Sequence, residues 1–193
     1  RLGGRPAKAL GPPVDRPTRP VGTVELLGRA DNRFVVSVEV ETRVDGPGDV
    51  DGIDDAWELK ERIRRAEGVL KQRENFFRSA YRRSTTHRLL VDDALVGFVT
   101  VRRDGYVLFL AVAPEARDRG YGRRLIAEVA RDHRTITCHA RTTNEAALAF
   151  YERIGFETER RVTGYYEDGG DAYYLRLGTD GGIRERLSEL IRR

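Results

Sequence analysis

The chain has 193 residues, 39% of them hydrophobic and 34% charged, with a net charge of +4. That length suits one domain with a substantial core plus some tail, and no apolar run approaches the roughly 20 residues needed to cross a bilayer, which argues against a membrane protein. The single cysteine, Cys138, excludes an internal disulfide and fits a reducing cytoplasm, and acidic residues interspersed among the surplus arginines speak against nucleic acid as a partner.

Residues 1–20 carry Pro6, Pro12, Pro13, Pro17 and Pro20 among arginines and glycines, so a disordered tail is expected there. Its basic start lacks the apolar segment of a secretory signal. Residues 21–50 read as N-terminal β segments. Thr23 to Leu27 is a short one, and Phe34 to Val40 is a second, with Phe34, Val36, Val38 and Val40 on one face. Asp45-Gly46-Pro47-Gly48-Asp49 then breaks the chain.

From Asp54 the period becomes helical, with Asp54 or Asp55 as the expected cap and Trp57, Ile63 and Ala66 near one stripe. Gly68 interrupts, and a second helix is expected over about Leu70 to Arg82, with Phe76, Phe77, Ala80 and Tyr81 on its apolar side. His87 to Val91 and Ala94 to Val101 read as strands joined by Asp92-Asp93, and Asp104-Gly105 leads into a third, Tyr106 to Ala113. His87 is expected at a strand edge, solvated.

The stretch from Val107 to Arg124 organises the rest. A buried strand ends at Val112-Ala113-Pro114, Arg117-Asp118-Arg119-Gly120-Tyr121-Gly122 follows, and Leu125, Ile126, Val129 and Ala130 then recur at helical spacing. A helix that begins in a glycine loop presents unpaired N–H groups and the positive end of its dipole, which suits a phosphate. Gly120 and Gly122 lack Cβ atoms that would keep an anion at a distance. Neither a dinucleotide fingerprint nor a P-loop fits the spacing.

Beyond the helix, Thr135 to Arg141 reads as a β-branched strand, and Thr142-Thr143-Asn144-Glu145 opens another helix whose Ala147, Phe150, Tyr151 and Ile154 share a face before Gly155 ends it. Strands are expected at about Phe156 to Thr163 and Ala172 to Leu177, flanking the loop Tyr165-Tyr166-Glu167-Asp168-Gly169-Gly170-Asp171. Residues 51–178 would form the core domain and residues 179–193 a peripheral helix, Ile183 to Ile191.

Arg117 to Gly122 resembles the Arg/Gln-x-x-Gly-x-Gly/Ala signature of the GNAT N-acetyltransferases. Cys138 to Phe156 is similar to the segment of that superfamily with an Asn at a helix start, a Tyr seven residues on and a Gly-Phe exit, in the form found in protein N-terminal acetyltransferases. Gly164 to Ala172 resembles the tyrosine-bearing loop of the same group, which includes the ribosomal-protein alanine acetyltransferases. The resemblance runs from about Ile53 to Leu177. It implies an α/β (α+β) GNAT fold, a mixed, mostly antiparallel central sheet with helices on both faces.

It also implies acetyl-CoA as co-substrate, no metal, and direct transfer to an amine in a ternary complex. On this resemblance the loop residues Arg117, Asp118, Arg119, Gly120, Tyr121, Gly122 and Arg123 hold the diphosphate. Leu110, Ala111 and Val112 offer main-chain bonds to the pantetheine and thioester, and Asn144 contacts CoA while capping its helix. Tyr151 matches the general acid toward the CoA sulfur, a task a phenol can perform because its reference pKa of about 10 is comparable with the thiol's of about 8.5. A core aromatic is the competing reading for Tyr151.

His139 falls where related enzymes carry a general base, acting directly or through water, and alternation puts it on one face with Thr137 and Arg141, opposite Cys138. A satisfied strand histidine is its rival. Tyr165 and Tyr166 are candidates for holding the acceptor, against simple packing across a hairpin. The implied acceptor is the α-amino group of a protein or peptide. A lysine or small-molecule amine, and a non-catalytic acyl-CoA-binding module, are the alternatives.

Overall fold

The computed structural model describes residues 38–178. The tail at 1–20, the β segment at 23–27, nearly all of that expected at 34–40, and the helix expected at 183–191 lie outside the described residues. Twelve elements follow: β1 Val40–Asp45, α1 Ile53–Glu67, α2 Glu74–Arg83, β2 Thr85–Val91, β3 Ala94–Val101, β4 Tyr106–Val112, a 3-10 turn Pro114–Ala116, α3 Tyr121–Asp132, β5 Thr135–Arg141, α4 Glu145–Arg153, β6 Glu157–Val162 and β7 Ala172–Gly178.

The strands form one sheet in the order β1-β2-β3-β4-β5-β7-β6. Every neighbouring pair is antiparallel except β4 and β5. Hairpin chemistry explains the first half. Asp92 and Asp93 sit at φ 48° and 63°, the left-handed pair a two-residue turn needs, and aspartate tolerates it better than most side chains.

Apolar residues cover both faces of the sheet. On one, Ile53, Leu59 and Ile63 of α1 and Phe77, Ala80 and Tyr81 of α2 pack on Phe98, Phe109 and Ala111. On the other, Leu125, Ile126 and Val129 of α3 pack with Tyr151 and Ile154 on Leu89, Val99, Val107 and Cys138. Gly68, at φ 69°, closes α1 in the left-handed conformation.

Three local expectations need correction. The expected strand is not seen at the two described residues before Val40, and β1 runs on from Val40 instead: Val40, Thr42 and Asp45 are buried, and Val38 is exposed. Asp45 can be buried because the Arg88 guanidinium grips both its oxygens, at 2.9 and 2.7 Å, and the Tyr81 hydroxyl donates to it. α1 begins at Gly52 with no side-chain cap; Asp54 and Asp55 lie inside its first turn, where they complement the dipole.

His87 is neither at an edge nor solvated. β2 lies between β1 and β3, so the ring is buried, and burial lowers its pKa to about 4. Arg124 of α3 lies against β1 with Nη2 donating to Val40 O at 3.4 Å, and burial lowers its pKa.

Candidate active site

The parallel pair β4–β5 is registered only at Tyr106–Thr137 and Val107–Cys138. Beyond it the strands part, while β4 stays paired with β3 as far as Gly97–Val112. The Ala113 amide donates to Val96 O at 2.8 Å. By strand alternation the main-chain groups of Leu110 and Val112 therefore face away from β3, toward the gap. Leu110 and Val112 are half-buried and Ala111 is packed beneath α1 and α2.

The gap leads to the start of α3. Gly120 caps that helix at φ 78°, and the first amide donated into the helix is that of Arg124, to Gly120 O at 3.0 Å. The amides of Tyr121, Gly122 and Arg123 thus have no helical acceptor and point toward an incoming anion. The two glycines differ in purpose. Around Gly120 a Cβ would meet nothing within 4 Å, so its backbone angle is what requires glycine. At Gly122 a Cβ would stand 2.9 Å from the Phe150 ring, so its bareness lets α3 close on α4.

The loop's side chains are less uniform than its amides. Asp118 and Arg119 are exposed, Asp118 at φ 61°, and Arg123 is half-buried. Arg117 turns to Glu67 at the end of α1, 2.7 Å away. Across the gap Asn144 caps α4, its Oδ1 accepting from the Ala147 amide at 3.1 Å. It also lines a cavity of about 460 Å³ with Arg141, Glu67 and Lys71.

Consecutive residues of β5 serve opposite faces. Cys138 is buried on the α3–α4 side and is the hydrogen-bonding neighbour of Tyr151. Tyr151 is buried between Phe150 and Phe156, with ring centroids at 5.3 and 5.0 Å. Its pKa is raised well above the usual phenol value, first by burial, with smaller contributions from Cys138, Tyr166 and Tyr106, so the hydroxyl stays protonated. Burial likewise pushes the Cys138 thiol up to about 12.

His139 points to the other face, half-buried with Thr137 and Arg141. Its Nδ1 is 2.8 Å from the Tyr106 hydroxyl, which is 3.0 Å from that of Tyr165. Tyr165 stacks on the imidazole at 4.0 Å and 10°, and Tyr174 packs at 4.9 Å. Burial, and secondly the Arg160 cation, lower the pKa of His139, so the ring is neutral near pH 7. To accept a proton at Nε2 it must donate Nδ1–H to Tyr106, which then donates to Tyr165.

Tyr106 is the residue that sequence reasoning missed. It opens a strand 33 positions before its partner, and nothing local marks it. Tyr165 and Tyr166 separate in role: Tyr165 reaches His139, whereas Tyr166 lies under the Arg141 guanidinium, 4.0 Å from its ring centroid. The loop carboxylates are engaged in holding the loop itself. Asp168 takes Arg141 and the Gly170 amide, at 3.0 and 3.2 Å, and Asp171 takes the Gly164 amide at 2.9 Å. Among the described residues, no group of three or more His, Cys, Asp and Glu could hold a metal.

Comparisons with known proteins place the fold among acetyltransferase-like chains. Residues 82–158 match a family model described as an acetyltransferase (GNAT) domain. Ninety-four residues are 38% identical to an uncharacterised protein of Mycobacterium leprae, covering 44% of this chain and 26% of that one. N-alpha-acetyltransferase 30 of Schizosaccharomyces pombe is 32% identical over 97 residues, covering 44% of this chain and 65% of the relative. The chain thus spans less than two thirds of the length of these curated relatives. Among solved structures, the Escherichia coli ribosomal-protein-S18-alanine N-acetyltransferase superposes with TM-score 0.59 at 23% identity, covering 73% of this chain and 96% of the other.

Proposed function

Because the chain carries a GNAT acetyltransferase domain, we propose that it is an acetyl-CoA-dependent N-acetyltransferase acting by direct transfer on the α-amino group of a protein or peptide. The observation that carries the proposal is the gap between β4 and β5, with a neutral imidazole held by the Tyr106 hydroxyl on one face of β5 and a buried, protonated phenol beside Cys138 on the other. The α-amino acceptor draws support from the N-alpha-acetyltransferase relatives and from the loop tyrosine stacked on His139.

The amides of Tyr121, Gly122 and Arg123, with the exposed Asp118, Arg119 and Gly120 beside them, take the diphosphate. Leu110 and Val112 offer the pantetheine their main-chain groups, Ala111 between them holds the strand against the helices, and Asn144 borders the slot. The chemistry needs three things. The neutral amine attacks the thioester carbon while its surplus proton passes to His139, directly or through one water. The oxyanion that forms is stabilised by main-chain donors facing the gap. As the carbon–sulfur bond breaks, Tyr151 gives its proton to the departing thiolate.

The test is thiol release from acetyl-CoA, with N-terminal peptides set against lysine peptides and polyamines. Release driven by α-amino peptides supports the reading. Release driven only by lysine or polyamine transfers the acceptor assignment to that amine. Calorimetry showing no uptake of CoA by the folded protein would overturn the whole proposal.

A further inference from the structure

One carboxylate joins the phosphate loop to the opposite wall of the cleft. Glu67, the last residue of α1, has its two oxygens 2.7 and 2.9 Å from Arg117 Nη2. From Glu67 the chain runs through Gly68 and Leu70, a non-glycine residue held at φ 53°, to Lys71. Lys71 meets Asp168 of the β6–β7 loop at 3.4 Å, and Asp168 meets Arg141 at 3.0 Å. Arg117, Glu67, Lys71, Asp168 and Arg141 are thus a run of alternating charge, and Glu67, Lys71 and Arg141 line the cavity between the α1–α2 loop and the start of α4.

A guanidinium can pair with a carboxylate or with a phosphate, and here both Glu67 oxygens compete for Arg117 Nη2. Arg117 begins the loop whose amides await the diphosphate, yet its Nη2 is held by Glu67. Both partners remain partly open to solvent, with side chains 41% and 30% exposed, so burial does not lock the pair.

We propose that Glu67 is an internal competitor for the cofactor. It holds Arg117 in the free protein, yields it to the diphosphate on binding, and so ties occupancy of the phosphate loop to the position of the α1–α2 loop. Glu67 is a positioning residue in this scheme, and the inference rests on the acetyl-CoA reading above. Coupling of this kind is reciprocal: an acceptor that shifts the α1–α2 loop away from Arg117 raises the affinity for the cofactor by the same factor.

Calorimetry on the full chain tests it, with CoA as one probe and pantetheine, which lacks every phosphate, as the other. The strength of an exposed ion pair translates into a Glu67→Gln variant that binds CoA about 2- to 5-fold more tightly than wild type. Pantetheine binding should not change, and the gain should vanish at about 0.5 M salt and in an Arg117→Gln background. A merely structural role predicts the opposite sign, weaker binding. Glu67→Ser must behave as Glu67→Gln does, which guards against a fold defect in either variant. Wild type that takes up no CoA sinks the acetyl-CoA reading itself. Wild type that binds CoA, with both Glu67 variants binding it equally or more weakly, overturns the competition alone.

Discussion

Deleting the imidazole separates a working base from a satisfied strand histidine. A general base contributes about 100- to 10,000-fold to rate, so His139→Ala should lose that much kcat at saturating acetyl-CoA. Tyr106→Phe keeps the ring but removes the 2.8 Å partner of Nδ1. A net hydrogen-bond contribution of about 0.5–1.5 kcal/mol corresponds to a loss of about 2- to 12-fold. Tyr106 acts through His139, so the double variant should be no slower than His139→Ala. The pH profile supplies a sign. Protonation removes the base, and burial together with Arg160 lowers the His139 pKa, so the acid limb of kcat/KM should fall below the ordinary histidine value of about 6.5. Arg160→Gln removes the cationic contribution and should move that limb to higher pH. Thiol release followed from acid to neutral pH measures both. Wild-type turnover in His139→Ala, or losses that multiply in the double variant, would refute the assignment.

Three further outcomes follow from the same geometry. Cys138→Ala should remain active, because a thiol raised to about 12 by burial is no nucleophile at neutral pH; an inactive, fully folded variant would point instead to an acyl-cysteine intermediate. Arg88→Met strands the buried Asp45 carboxylate and should cost about 3–5 kcal/mol in denaturant melts, largely recovered when Asp45 is also made apolar. His87 is held to about 4 in the folded state against 6.5 in the free side chain. The unfolded chain therefore takes up a proton first, and its stability, complete above about pH 6.5, should decline by on the order of 3 kcal/mol as pH falls toward 4. His87→Leu should flatten that slope, and an unchanged slope would place His87 in solvent after all.

The parts legible in the sequence are those whose cause lies within a few residues. A glycine that must be left-handed and a helix whose first amides lack acceptors leave a local trace in Arg117 to Gly122, and the β5 alternation put His139 with Thr137 and Arg141. Asn144 as a cap is a three-residue matter. What escaped depends on partners far along the chain. Glu41-Thr42-Arg43 reads as polar, so β1 was hidden until Arg88, 43 residues on, supplied the cation that lets Asp45 turn inward. His87 reads as an edge residue because nothing in Glu41 to Asp45 advertises the strand that covers it. The hydroxyl of Tyr106 acquires its purpose only when a parallel strand returns beside it.

Under the proposed function, strand alternation also explains how an acid and a base could serve one thioester without neutralising each other. Cys138 and His139 are successive residues, so they stand on opposite faces of the sheet, and their hydroxyl partners, Tyr151 and Tyr106, are sorted with them. β4 and β5 separate just past Val107 and Cys138, beside both pairs. Because the side-chain period is two, a one-residue slip of β5 would carry His139 into the α3–α4 core and Cys138 to the mouth. In the proposed mechanism, the register of this short parallel pair therefore decides which side of the gap would donate a proton and which would accept one. The seven-residue pairing of β5 with β7, from Thr135–Gly178 to Arg141–Ala172, is what holds it there.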